Sequence, residues 1–180
     1  MLLRMSLTGR MIILTESELT LADRIARERH NSNRDAGVTD QKIGPQSDYK
    51  TDQNGIIGEL AVAKRLNVYP DFAIEPSSGG IDLEYEGITI DVKATEYTDG
   101  KLLAPIWKQH KNYANVFALV TIDWPEKSRT EIAIPDVQIS GAVPADVLFQ
   151  DDNVINLGHG PTFGMDQSEL SSLTDVLKQV

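Results

Sequence analysis

Apolar and polar positions along the 180-residue chain alternate with two different periods, and the change of period marks the elements. Thr15-Glu16-Ser17-Glu18 has the Thr-x-x-Glu spacing of a capping box. Leu19, Leu21, Ala22, Ile25 and Ala26 follow at helical spacing, so a helix is predicted from about Glu16 to His30. From Asn31 to Gln53 the composition turns polar and the periodicity is lost, which reads as a long loop over residues 31–52. A second helix is predicted from about Gln53 to Leu66, with Thr51 or Asp52 as its cap. Short strands follow near Phe72–Glu75, Ile81–Glu86, Ile88–Thr95, Val116–Asp123 and Glu131–Ile134, with a helical or irregular piece around Ile106–Tyr113. Gly158-His159-Gly160-Pro161 and Phe163-Gly164 read as loops, and Gln167–Lys178 as a terminal helix. Helices first, then strands, then a helix, predict a mixed α/β domain rather than regular βαβ alternation.

The helical pattern of the second helix contains one misfit. Winding Gly55 to Leu66 at ~100° per residue places Glu59 between Ala63 and Leu66, inside the apolar arc. A carboxylate facing a core is costly unless it is paired, protonated or bound to a metal.

The stretch Ile81 to Thr95 alternates on both sides of Glu86-Gly87. If those two residues form a hairpin turn, Tyr85 pairs with Ile88, Leu83 with Ile90 and Ile81 with Val92 on one apolar face. The opposite face then carries Glu84 across from Thr89, and Asp82 across from Asp91. Two carboxylates placed so, with Cβ atoms ~5 Å apart, repel and require a neutralising charge. Lys93 lies on the face of Asp91 one pleat further along, so one patch holds two acids and an ammonium. A divalent cation bound by two carboxylates and a backbone carbonyl meets that need, and such a patch suits phosphodiester hydrolysis. The plain alternative is a solvated hairpin face in which Lys93 partly neutralises both acids, but that leaves Glu59 unexplained.

Glu59 on a helix, then Asp82, then Asp91-Val92-Lys93 on the next strand resembles the PD-(D/E)xK nuclease superfamily, as do the surrounding Gly58-Glu59-Leu60-Ala61 and Gly80-Ile81-Asp82-Leu83. The wording is similar to that of phage and prokaryotic members. It departs from the pattern in having Ile81 where proline precedes the first acid, and Asp91 as the acid of the last motif. The resemblance implies a restriction-endonuclease-like central mixed sheet flanked by helices, with Asp82, Asp91 and the Val92 carbonyl as ligands of Mg2+ or Mn2+. It implies Lys93 as the catalytic lysine and Glu59 as the accessory acid, which from its helix face is also a candidate third metal ligand, direct or through water. It further implies a polar residue near the site on the helical piece after the motif, for which Gln109 is the candidate, beside Lys108 and His110. Cutting of two strands by nucleases of this type implies a homodimer.

Composition narrows these expectations. The chain has 41% apolar and 24% charged residues and is read as a single domain, residues 1–180. Residues 1–14 are read as a leader, disordered or wrongly assigned as coding. Cysteine is absent, which removes disulfides, thiolate-bound zinc and cysteine nucleophiles, and three histidines far apart leave carboxylate oxygens as the metal donors. The formal charge of −10 argues against a protein that coats nucleic acid through a broad basic surface, though local basic patches can still follow a backbone. Lys108, His110 and Lys111, with Gln109 and the nearby Lys101, are the candidate nucleic-acid contacts. For Trp107 and Tyr113, which interleave with them, core packing is the better reading. The cluster Arg24, Arg27, Arg29 and Arg34 is read as a solvated helix face. The longest apolar run near the start, Met11–Leu14, is too short for a signal core or a membrane span, so a cytoplasmic protein is expected.

The functional expectation is a Mg2+- or Mn2+-dependent deoxyribonuclease in phage or prokaryotic DNA processing, restriction or repair. The alternatives are a non-catalytic nucleic-acid-binding or assembly protein on the same fold, and a calcium module. The last is disfavoured by the lack of EF-hand spacing.

Overall fold

The computed structural model describes residues 10–37, 47–74, 81–110, 114–125 and 133–180. In it the two sequence periods become a mixed α+β architecture in which a central mixed sheet is flanked by helices.

Helix α1 spans Glu16–Asp35 and opens with the predicted capping box. The Glu18 N–H donates to Thr15 Oγ1 at 3.2 Å, and the Thr15 N–H donates to the Glu18 carboxylate at 2.6 Å. Helix α2 spans Asp48–Leu66, starts on Ser47 as cap and stops at Asn67, whose left-handed φ of 55° closes the C-terminus. Both helices run into the stretch read as the loop 31–52, so that reading is corrected for residues 31–35 and 48–52; residues 38–46 lie outside the described residues. The polar side chains there are spent between antiparallel helices rather than on water. Arg34 Nη2 donates to Asp48 at 2.8 Å, His30 Nδ1 pairs with Asp52 at 2.7 Å, Tyr49 Oη contacts Asp23, and Lys64 donates to Glu18 at 2.8 Å. An interhelical polar seam leaves no apolar periodicity to read.

The strands are β1 (Arg10–Ile12), β2 (Leu83–Tyr85), β3 (Ile88–Thr95), β4 (Leu102–Pro105), β5 (Val116–Asp123), β6 (Asp136–Pro144), β7 (Val154–Asn156) and β8 (Pro161–Met165). Two short helices complete the set, α3 (Ala145–Leu148) and α4 (Leu173–Leu177). A five-stranded sheet has the order β1-β6-β5-β3-β2, with β3 and β5 parallel and the remaining neighbours antiparallel. A three-stranded antiparallel sheet has the order β4-β8-β7.

Strands β3 and β5 occupy the predicted ranges, and next to the turn the hairpin register is as expected: Leu83 opposite Ile90, Tyr85 opposite Ile88, with Glu86 and Gly87 both at positive φ in the two-residue turn. Strand β2 covers only Leu83–Tyr85 of the expected Ile81–Glu86, so the expected pairs Ile81–Val92 and Asp82–Asp91 lie beyond the ladder and Ile81 is exposed. Several other predictions need correction. Residues 10–12, read as part of a leader, form the edge strand β1, and Ile12 and Leu14 enter the core; residues 1–9 lie outside the described residues. Phe72–Ile74 carry no strand, and Glu75 is outside. The strand expected at Glu131–Ile134 begins instead at Asp136; Glu131 and Ile132 are outside. Phe163-Gly164 lie inside β8 rather than in a loop, because Phe163 is drawn into a second core. The terminal helix is broken into a 3-10 turn at Gln167–Glu169 and α4, since Ser171 pairs with Ala142 of β6 through both backbone groups (2.8 and 3.1 Å). A 3-10 turn covers Ile106–His110; residues 111–113 are outside.

The five-stranded sheet is buried on both faces. Ile90, Val116, Ala118, Val120 and Ile122 pack against Ile25, Ala26, Ile57 and Ala61 of α1 and α2 and against Leu173 and Val176 of α4. Phe117, Leu119 and Val143 point the other way, into Leu102, Ala104, Leu148, Phe163 and Met165 of the smaller sheet and α3. Among the described residues no helix is long and apolar enough to cross a membrane.

Candidate active site

The second core changes the setting of the hairpin's polar face. Asp91 is registered beside Phe117 and Lys93 beside Leu119 on the parallel partner β5, so side chains at these positions share the face covered by the smaller sheet. Asp91 is fully buried there, at 0% exposure. It meets two ammoniums: Lys93 Nζ contacts Oδ1, and Lys108 Nζ contacts Oδ2. The buried Oδ1 is therefore held by the Lys93 ammonium as an ion pair.

Asp82 reaches the same place from the end of β2. Its N–H donates to the Ile90 carbonyl at 3.0 Å, and its Oδ2 accepts the Val92 N–H at 2.7 Å. A strand residue's N–H and C=O point to the same side, so the Val92 carbonyl faces that edge as well. Burial first, and then the Asp91 charge, push the Asp82 carboxyl up to about 6, against the pull of Lys93, the Val92 amide and Lys108.

Glu59 comes from α2. Its neighbour Gly58 lets the helix approach β3 closely: a Cβ there would lie 3.3 Å from both Ala94 Cβ and Val92 Cγ1. The Glu59 carboxylate, 12% exposed, is held by Arg29 Nη1 of α1 at 3.1 and 3.0 Å. Burial, followed by repulsion from Asp82, nevertheless raises its pKa to about 8. The misfit on the helix's apolar arc is thereby accounted for: the carboxylate is inside the protein, paired, and in the field of the hairpin acids.

The two lysines respond in opposite senses. Burial pulls Lys93 down, but Asp91 and Asp82 outweigh it and its pKa ends raised, so Lys93 is a firm cation. Lys108, 4% exposed, is lowered by burial and by the like charge of Lys93, with Asp91 opposing. Its Nζ lies 5.8 Å from the Phe117 ring centroid.

All four predicted acid and lysine positions, Glu59, Asp82, Asp91 and Lys93, therefore converge. The expected nucleic-acid strip does not form a common surface. Lys108 is turned inward onto Asp91, Gln109 Nε2 donates to the Phe149 carbonyl at 3.1 Å, His110 is exposed, and Lys111 lies outside the described residues. Nor is the Arg24–Arg34 set a uniform solvated face, because Arg29 is the partner of Glu59. Arg29, expected on a solvated face, and Lys108, expected to contact nucleic acid, instead serve the cluster as its internal cations. A signal existed only for the need, since three acids in one place demand cations, and not for which cations would answer it.

The family model described as "Family of unknown function (DUF5843)" matches residues 4–159, a span that contains every residue of this cluster. The chain belongs to that family. Among curated proteins and among solved structures, nothing matches it.

The donor chemistry of the cluster can be tested against a hard divalent cation. No group of three or more His, Asp and Glu poised to hold a metal ion occurs among the described residues, each acid having turned to a protein partner instead. The chemistry still fits: Asp82 and Asp91 are anionic oxygen donors at one edge, the two Asp91 oxygens are met by lysine ammoniums, and Lys93 is already charged beside them.

Proposed function

We propose that this member of the family is a metal-dependent nuclease of the PD-(D/E)xK kind, hydrolysing phosphodiester bonds in DNA. The observation that carries the reading is the convergence of Glu59, Asp82, Asp91 and Lys93, from a helix and two hairpin strands, on one buried and electrostatically coupled cluster. Such coupling of perturbed groups is what a catalytic centre concentrates.

Asp82, Asp91 and the Val92 carbonyl would hold Mg2+ or Mn2+. The ion, when bound, supplies charge stabilisation and activation of water. The rest is the work of the chain. Lys93, kept cationic by its two acidic neighbours, is half-buried at 28% exposure, and its ammonium stabilises charge on the scissile phosphate. Glu59, with a pKa near neutrality, holds or releases a proton beside Asp82 as the charge of the site changes. Arg29 keeps Glu59 in place. In this reading the protein acts in the cytoplasm of a prokaryotic cell or phage-infected host, in DNA processing, restriction or repair, and cuts two strands as a homodimer.

A non-catalytic nucleic-acid-binding or assembly protein is the second reading. It is favoured by one observation, that Glu59 and Asp91 already have cations of the protein's own.

The test is cleavage of single- and double-stranded DNA, with RNA alongside, in Mg2+ or Mn2+ against chelator. Metal-stimulated cleavage is expected, and Lys93→Ala and Asp82→Asn are expected to lower it by at least about 100-fold while the protein stays folded. Asp91 variants are less informative because they strand two ammoniums inside the protein. Binding without turnover in any divalent metal would favour the second reading, and full activity in both variants would remove the proposed centre.

A further inference from the structure

With its three acids ionised, the cluster is charge-balanced by its own residues. Glu59, Asp82 and Asp91 supply three negative charges when ionised, and Arg29, Lys93 and Lys108 supply three positive ones. The balance is not pairwise. Asp82 meets no cation of the described residues at ion-pair distance, whereas Asp91 meets two. Lys108 is the second ammonium on Asp91, and after Lys93 it also helps to offset the charge of Asp82.

Its position is as telling as its charge. Lys108 comes from the 3-10 turn after β4, 17 residues beyond Asp91, and its Nζ rests on Oδ2, a carboxylate oxygen that a hard cation would use. An ammonium is a compact point charge on a flexible four-carbon stem, the kind of group that can stand in for a metal ion and withdraw. A divalent ion added there brings two further positive charges into a buried place where Lys108 already sits on an Asp91 oxygen.

We propose that Lys108 is a tethered counter-ion that competes with the divalent cation for Asp91, holding Oδ2 until a metal and the phosphate arriving with it displace the ammonium. This rests on the nuclease reading of the same site. It gives the site a built-in dependence on substrate. The free protein binds metal weakly, and the anionic phosphate restores the charge balance that lets metal in.

The sign of one measurement separates this from a merely structural ion pair. A structural lysine, once removed, weakens the fold and with it any bound metal; a competitor, once removed, tightens metal binding. The experiment is calorimetric titration of Mn2+ into the full-length chain without nucleic acid, for the unmodified protein and for Lys108→Met, Lys108→Gln and Lys108→Arg. Lys108→Met and Lys108→Gln are expected to bind one Mn2+ at least about tenfold more tightly. Lys108→Arg keeps the charge and is expected to stay at the unmodified affinity. Asp82→Asn added to Lys108→Met is expected to abolish the gain. Melting curves supply a second readout, in which Mn2+ raises the Tm of Lys108→Met by more than that of the unmodified protein.

Equal or weaker Mn2+ affinity in folded Lys108→Met and Lys108→Gln overturns the proposal. If the unmodified protein still binds Mn2+ and cleaves DNA, the nuclease reading survives that result. Variants that are unfolded with and without Mn2+ make Lys108 structural and overturn it too. Absence of both Mn2+ binding and cleavage in every protein removes the nuclease reading and this inference together.

Discussion

Arg29 Nη1 lies 3.1 and 3.0 Å from the two carboxylate oxygens of Glu59, while the same guanidinium donates from Nε to the Ala73 carbonyl at 3.0 Å and from Nη2 to the Asp71 carbonyl at 2.8 Å. One side chain of α1 thus fixes the acid of α2 and the segment that leaves α2 toward the hairpin. The pair is largely inside the protein, at 19% and 12% exposure.

Removing the guanidinium leaves Glu59 buried without its counter-charge. Arg29→Met is expected to lower stability by about 3 kcal/mol at pH 9, where Glu59 is ionised, and by less at pH 6, where it is already protonated. Urea unfolding at the two pH values checks this. An equal loss at both would mean that the charge of Glu59 contributes nothing to the pairing.

The pH dependence of the metal-free protein follows from the two raised carboxyls. Glu59 rises from 4.5 to about 8 and Asp82 from 3.8 to about 6, so for both the folded state is the better proton binder. Their contribution is complete below about pH 4 and is lost as pH climbs through about 6 and then about 8. Glu18 and Asp23, whose pKa values are lowered from 4.5 and 3.8, act oppositely, losing their contribution only as pH falls below those ordinary values. Thermal melts in chelator are therefore expected to peak near pH 5 and to drop by several degrees toward pH 9. Asp82→Asn is expected to flatten the part of that slope around pH 6. A Tm that increases steadily from pH 5 to pH 9 would contradict the assignment.

Gly55 and Gly58 lie one turn apart on α2 and should answer an added methyl in opposite ways. Nothing lies within 4 Å of a Cβ at Gly55, so Gly55→Ala is expected to stabilise by about 0.5–1 kcal/mol through helix propensity and reduced chain entropy. At Gly58 the methyl meets Ala94 Cβ and Val92 Cγ1 at 3.3 Å, both anchored on a central strand that cannot give way. Gly58→Ala is expected to cost about 1–3 kcal/mol from overpacking, in excess of its propensity gain. If the nuclease proposal holds, the substitution also reduces cleavage, because α2 carries Glu59 away from Asp82. Paired denaturation curves check both signs.

What could be read from the chain were interactions whose partners are near in sequence or share a fixed period. The Thr15–Glu18 box spans three residues, and its two hydrogen bonds are the predicted ones. The Glu86-Gly87 turn dictates its own register, since both residues take positive φ and alternation does the rest, so Asp91 and Lys93 had to share a face. Glu59 was visible because a carboxylate on an apolar arc contradicts the helical pattern around it. Asn31–Asp35 and Asp48–Asp52 were unreadable as helix for the converse reason, their polar side chains being satisfied by the facing helix.

The remainder was decided by packing at long range. A sequence pattern shows that Asp91 alternates away from Ile90 and Val92. It cannot show that a second sheet, assembled from segments as distant as Leu102–Pro105 and Pro161–Met165, closes over that face and removes its water. Burial is what turned a solvated acid–lysine patch into a cluster needing internal neutralisation, and it is why Arg29, 30 residues from Glu59, and Lys108, 17 residues from Asp91, were recruited from among many basic side chains. Local chemistry in the chain determined where the negative charges would gather; only the tertiary structure determined which positive charges met them, because a charge selects its partner through the dielectric and distance that folding creates.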